Sequence, residues 1–356
     1  MKHQRVNEID LLRFIAAISV VFFHYAFRGY AADNLSLMPY PSLAPIAKYG
    51  YLGVELFFMI SGFVILMTAT NSNVKRFIIS RSTRLYPAFW VACSLTFLVT
   101  LLIGAPQFSA TVPQYLGNLT MLSEFLGIPA IDGSYWSLFV EIRFYFLVLL
   151  LLMLKQIRYA QLVLVLWLMI SFLLEMMPIG ILRYLFITDY AAFFIAGAVC
   201  FLIWSESFSC SKGLILLTAW ALAEYEALSM LPSMEEHYKT SFNRLSIIGI
   251  ITVFFLIMFL VAKRWTGFWA RKPWLLLGAI TYPLYLIHQN IGFMIFNKLY
   301  QSINPHLLFW GTILLMLLLS YLIYAVFEKP FANKMRAFLE RLLKKPQITR
   351  SLSSSS

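Results

Sequence analysis

Apolar positions in this chain come as long, nearly unbroken runs separated by short polar segments. About 20 apolar residues carry a helix across the hydrocarbon of a bilayer. Runs of that kind lie near 10–29, 53–70, 85–104, 136–154, 160–177, 185–205, 212–230, 245–262, 275–296 and 306–327. They predict an all-α membrane protein of about ten transmembrane helices in a single bundle. The pattern changes after Pro330. Phe331, Met335, Phe338, Leu339, Leu342 and Leu343 recur at helical spacing, with Lys334, Arg336, Arg341, Lys344 and Lys345 around them. That is a basic amphipathic helix suited to an anionic leaflet, and the Ser-rich end beyond it reads as unstructured. Residues 1–330 are thus expected to form a membrane-embedded domain and 331–356 a cytoplasmic tail, with no internal repeat and no separate soluble domain. The loops near 30–52 and 105–135 are long enough to cover a site on the far side.

Composition agrees: 61% of residues are hydrophobic and 12% charged, where soluble domains average about half and a quarter. The net charge of +12 raises nucleic acid as a partner, but the basic residues sit in short loops and make no continuous basic face. Alternate loops hold 20 and 5 of the Lys and Arg residues, and the other three, Arg13, Arg28 and Arg143, fall within spans. The richer set includes both ends of the chain, so the positive-inside rule places both termini in the cytoplasm, which requires an even number of spans. The first run is expected to be retained rather than cleaved, because Arg13 and His24 interrupt what a signal peptide keeps apolar. Three cysteines without a CxxC pair give no disulfide framework and no metal site.

Ionisable groups inside spans are costly and mark either function or a structural pair. The first span carries Asp10, Arg13 and His24. Asp10 is one turn from Arg13 and can pair with it. Arg13 and His24, eleven residues apart, share a helix face with about 16 Å between them. Glu141 enters the fourth span from the outer side at about the depth His24 has in the first. The two are expected to meet, the carboxylate fixing the imidazole tautomer so that the other nitrogen serves as a base toward an acceptor hydroxyl. A pair that only joins helices is the alternative. Glu55 and His288 also fall in outer halves of spans and could line the same cavity, and Arg28 reads as snorkelling to the interface. On the inner side, Arg81 and Arg84 just before the third span present adjacent guanidinium forks suited to phosphate. There is no Gly-rich phosphate loop, no metal-ligand spacing and no GxSxG elbow.

Together these motifs resemble the acyltransferase 3 family of integral membrane proteins. The resemblance is carried, in order, by Asp10, Arg13 and His24; by Gly53-Val-Glu-Leu-Phe-Phe and Ser61-Gly-Phe; by Arg81, Arg84, Leu85 and Pro87; by Trp136-Ser-Leu-Phe-Val-Glu141 with Phe144-Tyr145; and by Tyr282-Pro-Leu-Tyr-Leu-Ile-His288. It runs from about residue 8 to 330. Many members carry a second Glu where this chain has Ile142, and often Asp where it has Glu55. The resemblance implies an acyl-CoA donor, usually acetyl-CoA, with no tightly bound cofactor, and a glycan or lipid-linked sugar as acceptor beyond the membrane. Arg13, Arg81 and Arg84 are then expected to hold the CoA phosphates and His24 with Glu141 to catalyse transfer, with Tyr145 or His288 near the oxyanion. The rival reading is a transporter of a small acid or lipid-linked sugar, since buried His and Glu also relay protons; no matching halves support it.

Overall fold

The computed structural model describes residues 6–343. Lys2, Arg5, Lys344, Lys345, Arg350 and the Ser-rich end, all weighed above, lie outside the described residues. Among those described, the secondary structure is helical and no strand occurs. Ten long helices follow one another: α1 (Asn7–Phe23), α2 (Gly53–Thr70), α3 (Val74–Ile103), α4 (Trp136–Met153), α5 (Ala160–Met176), α6 (Thr188–Glu206), α7 (Cys210–Ser229), α8 (Arg244–Ala262), α9 (Leu275–Leu299) and α10 (Pro305–Leu322). A π turn, Ile323–Glu328, joins α10 to α11 (Lys329–Leu342).

Among the described residues nine helices are long and apolar enough to cross a membrane. The tenth long helix, α9, fails on apolarity because it carries Thr281, Tyr282, Tyr285, His288, Gln289 and Asn290. It crosses the bundle nonetheless. Just before its start, the Ala270 carbonyl accepts from Asn7 Nδ2 at 2.8 Å; near its end, Asn297 Nδ2 donates to the Leu35 carbonyl at 2.9 Å. The bundle shields those polar groups from lipid: almost every residue from Gly278 to Phe296 is buried.

Contacts between loops sort by end. At one end Asn7 meets Ala270, Lys75 Nζ donates to the Leu343 carbonyl and Arg264 Nη2 to the Trp204 carbonyl. At the other end Lys48 meets Ser241, Tyr49 meets Asn243, Tyr40 meets His306 and Tyr184 meets Glu124. These are the two loop sets separated above by charge, so Asn7 and Leu343, at or next to the described ends of the chain, share one end of the bundle.

Three boundaries differ from expectation. Helix α3 begins at Val74 rather than near 85, because the Asn73 side chain accepts from Arg76 N and caps it. Arg81 and Arg84 therefore stand on the helix itself and not in a preceding loop. The sixth span starts at Thr188 after a short helix, Gly180–Phe186, that ends at Ile187 in the left-handed region. The amphipathic helix α11 is present, but it continues α10 and docks on α3, with Phe331 against Trp90. The unbroken helix Pro305–Leu342 has 38 residues, about 57 Å at 1.5 Å per residue, so it projects well beyond a hydrocarbon layer of about 30 Å.

Packing divides into two buried clusters that share α1. Val20 and Phe23 join the cluster of α2, α5, α6, α7 and α8; Ala17, Val21 and Tyr25 join that of α3, α9 and α10. The closest pairing is α2 against α6. A Cβ on Gly197 would stand 1.7 Å from the Met59 carbonyl oxygen, and one on Gly62 would stand 2.1 Å from that of Phe194. Only glycine allows these backbones to touch, which explains the glycine in Ser61-Gly-Phe. Lipid-facing helices keep large apolar side chains outward, as Leu162, Leu166, Met169 and Phe172 do on α5. Exposed apolar belts of this size suit hydrocarbon as solvent.

The shared ends give a topology prediction. With Cys210 replaced by serine, Asn71→Cys should be shielded from a membrane-impermeant maleimide in right-side-out vesicles, and Gln107→Cys should be labelled. The reverse pattern would invert the orientation read from charge.

Candidate functional site: two cavities end to end

At the seam between the clusters, α1, α2, α3, α4, α9 and α11 enclose a cavity of about 420 Å³. Its lining includes Arg13, Arg81, Arg84, Glu141, Tyr145, Glu328 and Arg336. Arg84 Nη1 donates to Glu328 Oε1 at 2.6 Å. Arg81 Nη2 donates to Ser80 Oγ at 3.0 Å, and its Nε, among the described residues, is buried with no hydrogen-bond partner. The guanidinium groups lie over rings, Arg81 over Tyr145 at 5.9 Å and Arg84 over Tyr282 at 5.6 Å. Arg13 is half-buried here, within the electrostatic reach of Asp10, Glu141, Tyr145 and Arg84. Three predicted donor-binding arginines thus converge, and α11 brings a fourth, Arg336.

A second cavity of about 210 Å³ lies beyond the first, lined by His24, Arg28, Glu55, Trp136, Tyr190 and Gln289 among others. Val54 and Tyr285 line both cavities. His24 opens a π turn, His24–Arg28, that continues α1. Such bulges recur at functional sites because the widened turn re-aims side chains. His24 Nδ1 lies 2.8 Å from the Val20 carbonyl oxygen and 3.1 Å from His288 Nε2; His288 Nδ1 lies 2.8 Å from the Tyr285 carbonyl oxygen.

These partners decide the tautomers. A carbonyl oxygen only accepts, so His288 Nδ1 carries its proton and, in the neutral ring, Nε2 offers a lone pair. The proton between the rings therefore sits on His24 Nδ1, shared with Val20. His24 Nε2 is left as the basic nitrogen. Tyr25 OH donates to the His288 carbonyl at 2.6 Å and holds α9 against α1.

The expected His24–Glu141 pair is not formed. Glu141 Oε1 accepts from Ser61 Oγ at 2.6 Å and from Tyr145 OH at 2.7 Å, within the inner cavity. Their depths are not matched in the folded bundle: Glu141 lies with Arg13 at the inner cavity, whereas His24 lies at the outer one, where α9 supplies His288 as its partner. Tyr145 is likewise at the inner cavity and not beside His24. Glu55 lines the outer cavity. Its Oε2 and the Tyr51 hydroxyl are buried there, without a hydrogen-bond partner among the described residues.

A family model described as an acyltransferase domain, acyltransferase 3, matches residues 6–325. The chain belongs to this family. Curated relatives include nodulation protein 10 of Rhizobium leguminosarum bv. viciae, 30% identical over 159 residues, covering 39% of this chain and 42% of that protein. Another is the peptidoglycan O-acetyltransferase OatA of Listeria monocytogenes serovar 1/2a, 28% identical over 185 residues, covering 45% of this chain and 26% of OatA. The chain thus spans less than half the length of these relatives. No solved structure matches it.

Sequence reasoning missed Ser61, Ser137, Tyr285, Glu328, Arg336 and Asp132. Ser61 and Tyr285 stood inside motifs read for their neighbours, Arg336 read as part of the basic amphipathic tail, and Glu328 drew no reading. Asp132 lies in a loop, fully buried, accepting from Ser134 N and Oγ through Oδ1 and from Asn290 N through Oδ2. It ties the start of α4 to α9. Burial pushes its carboxyl from 3.8 up to about 6, against the hydrogen bonds from Ser134 and Asn290 that favour the ionised form.

The folded protein therefore holds this proton more tightly than an unfolded chain does. Stability from Asp132 is greatest below pH 3.8, falls as pH rises from 3.8 to 6, and is level above. In detergent, the melting temperature of wild type relative to Asp132→Asn should drop across that window and stay constant above pH 7. A difference that does not vary with pH would refute this coupling.

Proposed function

We propose that the protein is a membrane-bound O-acyltransferase that moves an acyl group, acetyl by preference, from acyl-CoA in the inner cavity to a hydroxyl of a glycan or lipid-linked sugar in the outer cavity. One observation carries the reading: a cavity ringed by arginines meets, end to end, a cavity that holds an oriented histidine. The membrane is taken to be the bacterial inner membrane, with the basic end cytoplasmic and the apolar face of α11 toward the inner leaflet.

In this reading Arg81, Arg84, Arg13 and Arg336 hold the phosphates of CoA, and Arg84 exchanges Glu328 for phosphate. Guanidinium forks suit that ligand. Glu141, held by Ser61 and Tyr145, forms a polar wall for the amides of the pantetheine arm and balances Arg13, rather than orienting His24. The arm runs along α1, where about 16 Å separates Arg13 from His24. An acceptor hydroxyl in the outer cavity gives its proton to His24 Nε2 as its oxygen attacks the thioester carbonyl. The tetrahedral intermediate collapses, the C–S bond breaks, and the proton passes from the imidazolium to the departing thiolate, giving ester and free CoA thiol. His288 accepts from His24 Nδ1–H and steadies the imidazolium. Glu55 and Tyr51 receive further hydroxyls of the acceptor, and the rings of Trp136 and Tyr190 offer it flat apolar faces.

Membrane vesicles supplied with acetyl-labelled acetyl-CoA test this. His24→Ala should lower label in glycan by about a hundredfold or more, the usual span of general-base catalysis, at equal protein abundance. Arg84→Ala should raise the KM for acetyl-CoA about tenfold, the effect of losing one charge-assisted contact of about 1.4 kcal/mol, with kcat little changed. Equal labelling by wild type and His24→Ala would remove His24 from the mechanism. Absence of label in both, with a small acid or sugar lipid crossing the membrane, would favour a transporter.

A further inference from the structure

The inner and outer cavities adjoin along the seam and share two lining residues. Tyr285 and Val54 line both. Tyr285 is buried, and its hydroxyl lies 2.5 Å from Ser137 Oγ on α4, which lines the inner cavity. On the inner side its ring meets Phe57 edge-on at 5.7 Å; on the other it faces the His288 ring at 5.6 Å. The same residue's carbonyl sets the His288 tautomer. Tyr285 is therefore a partition: one ring, pinned by one hydroxyl, stands between the arginine cavity and the histidines.

We propose that Tyr285, closed on Ser137 and backed by Val54, admits the acyl end of the donor to His24 and sets how long that acyl group can be. This rests on the acyl-CoA reading given above. A thioester whose phosphates lie among the inner arginines reaches His24 only past this ring. The passage opens by exchange of the Tyr285–Ser137 hydrogen bond and a turn of the ring. Beyond it the space is about 210 Å³, half that of the inner cavity. It must hold the acceptor hydroxyl and the acyl group together. A two-carbon acyl group passes and leaves room for the acceptor, whereas each added methylene must be placed against the Tyr285 ring and Val54, which wall this space. Pockets discriminate about 10- to 200-fold per methylene when they are this close.

The geometry separates two functions of the side chain. The hydroxyl keeps the passage closed when no donor is bound, and the ring limits chain length. Tyr285→Phe removes the first and keeps the second. Tyr285→Ala removes both. Ser137→Ala should resemble Tyr285→Phe, because it deletes the other half of the same hydrogen bond.

The test uses vesicles containing the full chain and acyl-labelled acetyl-, butyryl- and hexanoyl-CoA, with label in glycan and release of free CoA thiol as readouts. Wild type should transfer acetyl and little hexanoyl. Tyr285→Ala should move the ratio of hexanoyl to acetyl transfer upward by about tenfold or more. Tyr285→Phe and Ser137→Ala should keep the acetyl preference but release more CoA thiol to water. Val54→Ala, a smaller change in the same wall, should shift the ratio in the same direction and stands in if Tyr285→Ala fails to accumulate. An unchanged chain-length ratio in both Tyr285→Ala and Val54→Ala, with transfer intact, would overturn the partition while leaving the acyltransferase reading in place. Wild-type vesicles that incorporate none of the three acyl groups would overturn both.

Discussion

A charge in hydrocarbon must be surrounded by protein, and the rest of this structure follows from that cost. Arg13, Glu141 and His24 sit on helices that cross an apolar layer, where lipid offers them no partner. The bundle answers by turning these faces toward one seam and leaving apolar side chains such as Leu162 and Phe172 outward. Helix α9 is the extreme case. Too polar to pass as a span by composition, it is buried along nearly its whole length and supplies His288, Tyr285 and Asn290 to the interior. Function and burial are the same constraint here: the groups that chemistry needs are those the membrane would exclude.

The seam stays open because packing on either side of it is tight. Glycines at 62 and 197 let α2 and α6 touch at the backbone, so one cluster is rigid. Tyr25 and Asp132 tie α9 to α1 and to the start of α4, so the other wall is held too. Between them the helices give way at two π turns, His24–Arg28 and Ile323–Glu328. Each ends or begins with a site residue: His24 at the outer cavity, Glu328 on Arg84 at the inner one. Widened turns cost regular hydrogen bonding, and both occur where a side chain must be aimed into a cavity.

The hydrogen-bonded histidine pair also shows why a predicted carboxylate was not required. Orienting an imidazole calls for an acceptor at one nitrogen, and a backbone carbonyl serves as well as Glu in that role. Val20 and, through His288, Tyr285 provide it. Glu141 is instead held in the arginine cavity by Ser61 and Tyr145.

The number of long helices, the alternation of loop charge, the five motifs in order and the residues that had to be buried were all legible in the amino-acid sequence. Each is local: a run of apolar residues or an ionisable group inside it carries its cost wherever the helix ends up. Asp10, Arg13, His24, Glu55, Glu141 and His288 were singled out on that ground, and Arg81 and Arg84 as adjacent guanidinium forks; all are at or beside the two cavities except Asp10, which lies within the electrostatic reach of Arg13. Partners were not legible. Depth estimated along each run alone does not fix how the helices slide and turn against one another, and so His24 and Glu141 were paired although they line different cavities. Arg336 and Glu328 could not be placed either, because the docking of α11 on α3 is decided by surfaces far apart in the chain. The sequence by itself determined what must be hidden from lipid; the tertiary structure alone decided which hidden groups meet, since that depends on helix rotation and neighbour order, and no local pattern encodes either.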